Sequence, residues 1–223
     1  MTESATLIGF DAWAELAGDT PISRTEWAAL VAAWSEPSRT YHGLAHLAAV
    51  LGLVGQLGDA AADPAAVRLA AWYHDVVYDP TRWDNEQVSA QRARAGLRGL
   101  VPDERIAEVE RLVLLTARHD AAPGDTNGAV LCDADLAVLA SPPEAYAAYA
   151  SAIRAEYGHL PDAVFTAGRI AVLEQLLGLP VLFRLPAVAA DWMPRARDNM
   201  TAELALLRGR AASASADPPP AGG

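Results

Sequence analysis

Lysine is absent from the 223 residues: all seventeen basic side chains are Arg, set against twenty-eight acidic ones, for a formal net charge of -11. A broad nucleic-acid-binding surface is excluded by that balance. Schiff-base chemistry and a Lys-bearing phosphate loop fall with the missing residue type. A few Arg converging on one pocket can still hold a phosphorylated small molecule against an acidic exterior. Cysteine is nearly absent as well. Cys132 stands alone, so neither an internal disulfide nor a thiolate cluster can form. The N-terminus lacks the basic, apolar and small-residue order of a secretory signal, and a cytoplasmic protein is expected. Long apolar runs are missing too. His, Arg, Asp or Gly breaks each one before the roughly 18 residues needed to cross a bilayer, so no membrane segment is expected. β-Branched residues are sparse, and no run alternates as a strand would. What is present is Ala and Leu within a chain that is 52% hydrophobic and 20% charged, which supplies a sizeable core and favours helices. The expected fold class is all-α.

The chain reads as one domain over residues 1–208, followed by an Ala/Ser/Pro-rich tail, 209–223, expected to be disordered. A buried helix is expected from about Thr40 to Leu57. Asp63-Pro64 has the form of an N-cap with Pro at the first helical position, and Val67, Ala70, Ala71, His74 and Tyr78 recur behind it at helical spacing. Asp84, with Gln87 three residues on, looks like a capping box opening a helix to about Gly99. Pro102-Asp103 opens another that leads to His119 and ends before Pro123-Gly124. Helices are further expected over about 133–140, 143–157, 162–177 and 187–209, limited by prolines.

Four of the five His, at 42, 46, 74 and 119, lie in or at the ends of apolar helices, where a buried imidazole needs a partner. Each alone is explained by one hydrogen bond inside a core. Their combination with acids points to a metal. His42 and His46 are spaced i, i+4 and can address one site from a helix. His74 and Asp75 are neighbours in an apolar segment without a nearby basic residue, and both can reach an ion over that turn. Asp133 and Asp135 cannot both face inward from one helix. Asp135 shares its face with Leu131, Val138 and Leu139 and is chosen as the ligand, while Asp133 is assigned to an N-cap.

The order His46, His74-Asp75, Asp135 resembles the H...HD...D signature of the HD-domain superfamily of metal-dependent phosphohydrolases. Tyr41-His42, His74-Asp75-Val76-Val77-Tyr78-Asp79, Asn85-Glu86 with Ser89-Ala90, Thr116 with His119, Asp133-Ala134-Asp135-Leu136, Arg154 with Glu156-Tyr157, Gly168-Arg169 and Ala196-Arg197 with Asn199 extend it over about residues 40–205. They are similar to the bacterial group of predicted HD-superfamily phosphohydrolases. The resemblance implies a helical bundle of about eight to ten helices with the metal site at its centre. By the same resemblance, His119 answers to the extra histidine that some HD proteins use for a second metal, with His42 as another candidate. The alternative for His119 is a helix C-terminal His favoured by the macrodipole.

Two imidazoles and two carboxylates suit Mn, Fe, Co, Ni or Zn, with Mg admitted if few imidazoles bind. The expected activity is hydrolysis of a nucleotide or another small phosphorylated metabolite, with water activated by the metal and oriented by Asp75. Glu86 is the preferred proton donor or acceptor, ahead of Asp79 and of Asp84, which is explained as a cap; a first-turn carboxylate serving only the helix dipole is the alternative for Glu86. Among Arg82, Arg118, Arg154, Arg169 and Arg197, the substrate anion is assigned first to Arg169 and then to Arg118. Two other functions fit the same scaffold: a dinuclear-iron oxygenase and a nucleotide-binding regulatory module without turnover. Oligomeric state is left open by the sequence.

Overall fold

Prolines, capping side chains and apolar stripes divide the chain into helices in the computed structural model, which describes residues 3–216 and the side chains of 5–213. Among the described residues there is no strand, and the expected all-α class is the fold observed: a five-residue helix is followed by ten longer ones. Backbone packing groups the chain into two compact units, Met1–Leu136 and Ala137–Gly223. No described helix is long and apolar enough to cross a membrane.

The first unit holds α1 (Glu3–Leu7), α2 (Phe10–Ala17), α3 (Pro21–Trp34), α4 (Leu44–Leu57), α5 (Pro64–Tyr73), α6 (Asn85–Leu97), α7 (Asp103–Leu115) and α8 (Thr126–Leu136). Helix α5 is its centre. Seven of its ten residues, Ala66, Val67, Leu69, Ala70, Ala71, Trp72 and Tyr73, are buried, and α2, α4, α6, α7 and α8 pack around it. A helix with so wide an apolar surface, broken only by Arg68, has nowhere stable to lie except inside a core. Its start follows the sequence reading: Asp63 accepts from Ala66 N–H at 3.1 Å, and Pro64 takes the first helical position. Arg105, on α7, adds a guanidinium to the same carboxylate at 2.9 Å.

Polar staples join the neighbouring helices. Glu26 on α3 accepts from Tyr73 Oη at 2.7 Å and from Arg92 on α6 at 2.9 Å. Gly96 makes room for that pair, because a Cβ there would collide with the Glu26 carboxylate and the Arg92 guanidinium. Trp34 donates its indole N–H to Trp72 O at 2.9 Å, and Trp13 meets Trp72 edge to face.

Helix limits differ from the sequence reading wherever side chains compete for the backbone. Helix α4 begins at Leu44, so His42 precedes it in a turn. Helix α5 stops at Tyr73, five residues short of Tyr78. Helix α8 begins at Thr126, capped by Asp125, which accepts from Gly128 N–H at 2.9 Å and is itself clasped by both terminal nitrogens of Arg111. Asp133 is therefore no N-cap; it lies wholly buried in the interior of α8. The capping box at Asp84 does not form either, since its carboxylate takes two bonds from Arg82 at 2.9 and 2.8 Å.

The second unit comprises a 3-10 turn, Ala137–Ala140, then α9 (Pro143–Glu156), α10 (Asp162–Gly178) and α11 (Pro186–Ala216). Prolines set the starts of all three helices, as expected. Asn199 on α11 donates to Leu139 O and Ser141 O, both at 2.9 Å, and fixes the 3-10 turn against the long helix. That helix continues through Pro194 and reaches Ala216, so residues 209–216, expected to be disordered, are helical. Alanine carries the highest helix propensity and sustains the extra turns. The rest of the expected disordered tail, 217–223, lies outside the described residues.

Burial alone would raise the Asp63 carboxyl, but the Arg105 guanidinium and the Ala66 N–H outweigh it and hold it below the usual carboxylate range. A carboxyl depressed by folding stabilises the native state above its unfolded pKa, about 4, and loses that contribution as pH falls through the lower folded value. Asp63→Ala is expected to cost about 1 kcal/mol at pH 7. Denaturant midpoints of wild type and variant should converge as the pH is lowered below about 4.

Candidate metal centre

Three helix ends of the first unit converge on one point. His46 is the third residue of α4, His74 follows the last residue of α5, and Asp135 stands in the last turn of α8. His46 Nε2 is 3.2 Å from His74 Nε2 and 3.1 Å from Asp135 Oδ1. His74 Nε2 is in turn 3.3 Å from Asp75 Oδ2 and 3.4 Å from Asp135 Oδ1. His46, His74 and Asp75 each present one ligand atom, all within 4.8 Å of one another. Metal bonds of about 2.1 Å place adjacent ligand atoms about 3.0 Å apart on an octahedron and about 3.4 Å apart on a tetrahedron. These four edges fall within that interval, so His46, His74 and Asp75 could hold a small divalent ion, with Asp135 next to both imidazoles.

Local structure explains the aim of each ring. His74 Nδ1 lies 2.9 Å from Ala71 O, so Nε2 is the ring nitrogen that faces the cluster. Because α5 ends at Tyr73, the ring projects past the helix end. The Trp34 ring packs against both His46 and His74. His74 is the C-cap of α5, still with helical dihedrals and with its N–H on Ala70 O at 2.9 Å, and Asp75 stands in the turn that follows.

Electrostatics at the cluster favour a cation. Burial works against an imidazolium at His74, but the carboxylates of Asp75 and Asp135 prevail and hold it well above the usual histidine range. Burial would raise Asp75, yet His74 and His42 bring it down to about 2. Asp135 is likewise driven well below the usual range, with burial opposed by His74 and by hydrogen bonds from His119, His46 and His74. Burial dominates at His46, which is lowered despite its hydrogen bond with Asp135. Two carboxylates gathered with these imidazoles in a place with little water to screen them draw positive charge to the cluster.

Arg39 is the residue that the sequence reading missed. Its side chain is only 2% exposed. It donates to His42 O at 3.1 Å, Asp75 O at 2.6 Å and Val76 O at 2.9 Å, and pairs with Glu36 at 3.1 Å. The loop before α4 is thereby tied to the segment after α5. Ser89 exchanges hydrogen bonds with Val77 N–H and O, and Asn85 does the same for Asp79, so α6 holds the far side of that segment.

The other expected site residues divide. His42, stacked on Tyr78 with ring centroids 4.0 Å apart, brings Nε2 to 3.9 Å from Asp75 Oδ2. His119 brings Nε2 to 2.8 Å from Asp135 Oδ2. The Asp79 carboxylate accepts from Thr81 N–H and Oγ1 and shapes the loop before α6. Glu86 lies half-buried in the first turn of α6. Arg118 is exposed in the turn after α7. Arg169 belongs to the second unit, where Glu203 receives it at 2.8 and 2.9 Å and Tyr149 at 3.2 Å.

Comparisons with protein-family models, with curated proteins and with solved structures gave no significant match.

Removing the Arg39 fork leaves three carbonyls without their donor. Arg39→Met is expected to destabilise the fold by about 2–4 kcal/mol in chemical denaturation. Arg39→Lys should recover only part of this, because an ammonium cannot reproduce the planar fork.

Proposed function

We propose that the chain is a metal-dependent phosphohydrolase acting on a nucleotide or another small phosphorylated metabolite. The observation that carries this reading is the set of ligand edges between 3.1 and 3.4 Å joining His46, His74, Asp75 and Asp135. The resemblance of their order to the HD signature supports it. The donor set, two imidazoles and two carboxylates, suits Mn, Fe, Co, Ni or Zn, with Mg admitted where fewer imidazoles bind. A divalent ion held there supplies Lewis acidity toward a phosphoryl oxygen and acidifies water.

The chain's own groups divide the remaining work. His46, His74 and the two carboxylates fix the position of positive charge. Asp75, reached by His42 on its outer side, orients water for attack in line with the leaving oxygen. Glu86, half-buried in the first turn of α6, is the group proposed to take up or return the proton. Arg118 is the first choice for the substrate anion, because it is exposed beside His119, while Arg169 is committed to Glu203 and Tyr149.

The test is elemental analysis of the purified protein, paired with a phosphatase screen on p-nitrophenyl phosphate and nucleoside phosphates, for wild type and Asp75→Ala. Wild type is expected to retain a divalent metal and release phosphate, and Asp75→Ala to lose at least about 100-fold of that turnover. A metal-free wild type whose activity equals that of the variant would overturn the reading. Iron with turnover that consumes O2 and releases no phosphate would replace it with the oxygenase.

A further inference from the structure

We propose that His119 is a positioning residue that holds Asp135 in its ligating orientation, and is no ligand of a second ion. The inference rests on the metal reading above. His119 occupies a backbone position that disfavours it: φ is 49°, and its N–H closes onto Leu115 O at 2.9 Å after the end of α7. Helices commonly end this way with glycine, because a Cβ in the left-handed region costs about 1 kcal/mol. An imidazole kept at such a place has a use for its ring. That use is visible in the division of the Asp135 carboxylate. Oδ1 faces His46 and His74 at 3.1 and 3.4 Å, while Oδ2 meets His119 Nε2 at 2.8 Å. The last distance is that of a charge-assisted hydrogen bond and is shorter than the edge of about 3.0 Å that an ion between the two atoms would impose. A donor on Oδ2 locks the carboxylate torsion, so that Oδ1 is presented to the ion without a search over rotamers.

Co2+ titration of the metal-free protein, followed by visible absorption and by elemental analysis after gel filtration, tests this on wild type, His119→Gly, His119→Asn and His119→Gln. Wild type should take one Co2+ per chain. The Gly and Asn variants suit the left-handed backbone and, metal-free, should melt within a few degrees of the wild-type temperature. The relieved backbone offsets part of the loss of the hydrogen bond to Asp135, so the variants stay folded and should still bind one Co2+, with Kd weakened about 10- to 100-fold and an altered spectrum. Gln, whose amide nitrogen can stand where Nε2 stood, should recover most of the affinity. Two Co2+ in wild type and one in the Gly and Asn variants would overturn the proposal in favour of a second-ion ligand. Affinities within twofold of wild type in Gly and Asn would reduce His119 to a helix end. A wild type that binds no Co2+ would overturn the metal reading and this inference together.

Discussion

A guanidinium removed from water has to find acceptors, and the acceptors Arg39 finds determine how two distant parts of the chain meet. Its bonds to His42 O, Asp75 O and Val76 O join the turn before α4 to the turn after α5. Without that crosslink the segment after α5 would be held only from the α6 side, by Ser89 and Asn85, and its register against the turn before α4 would be less well fixed. The Trp34 ring lies against the guanidinium as well as against His46 and His74. A cation and two imidazoles thus share one aromatic wall. Packing and electrostatics at this place are one arrangement.

The cluster is a balance of large opposing effects. Taking two carboxylates and two imidazoles out of water costs several kcal/mol for each ion that stays charged. The protein offsets this with mutual attraction, with the Ala71 carbonyl on His74 and with the His119 ring on Asp135. The end of α5 contributes in the same sense, since its last carbonyls carry the negative pole of the helix toward His74. All of these terms favour positive charge at the same point, whether a proton or a metal supplies it.

The fold class and most helices of the second unit were legible in the sequence, because prolines and apolar spacing act locally. Asp135 lies beside His46 and His74, but the phase premise that only one of the two Asp could turn inward fails, because Asp133 is wholly buried as well. Local pattern failed where a distant side chain intervened. Nothing near Asp125 in sequence announces that Arg111 will clasp it, so α8 starts earlier than read and Asp133 becomes interior. The helical i, i+4 relation of His42 and His46 dissolves for a similar reason, with Arg39 holding the His42 carbonyl outside α4. Arg39 itself carries no local signal, being one arginine among seventeen.

The complete burial of the C-terminal half of α5, Leu69 to Tyr73, bears on time as well as on geometry. Helices at a protein surface fray, and residues at their ends exchange between states far faster than the molecule unfolds. Helix α5 ends inside the core, with Trp72 and Tyr73 immediately before His74 and each at most 1% exposed. By the same argument the His74 ring, itself 1% exposed, leaves its place only when the core around it opens, which gives the cluster a kinetic permanence that the distances among its side chains do not by themselves confer.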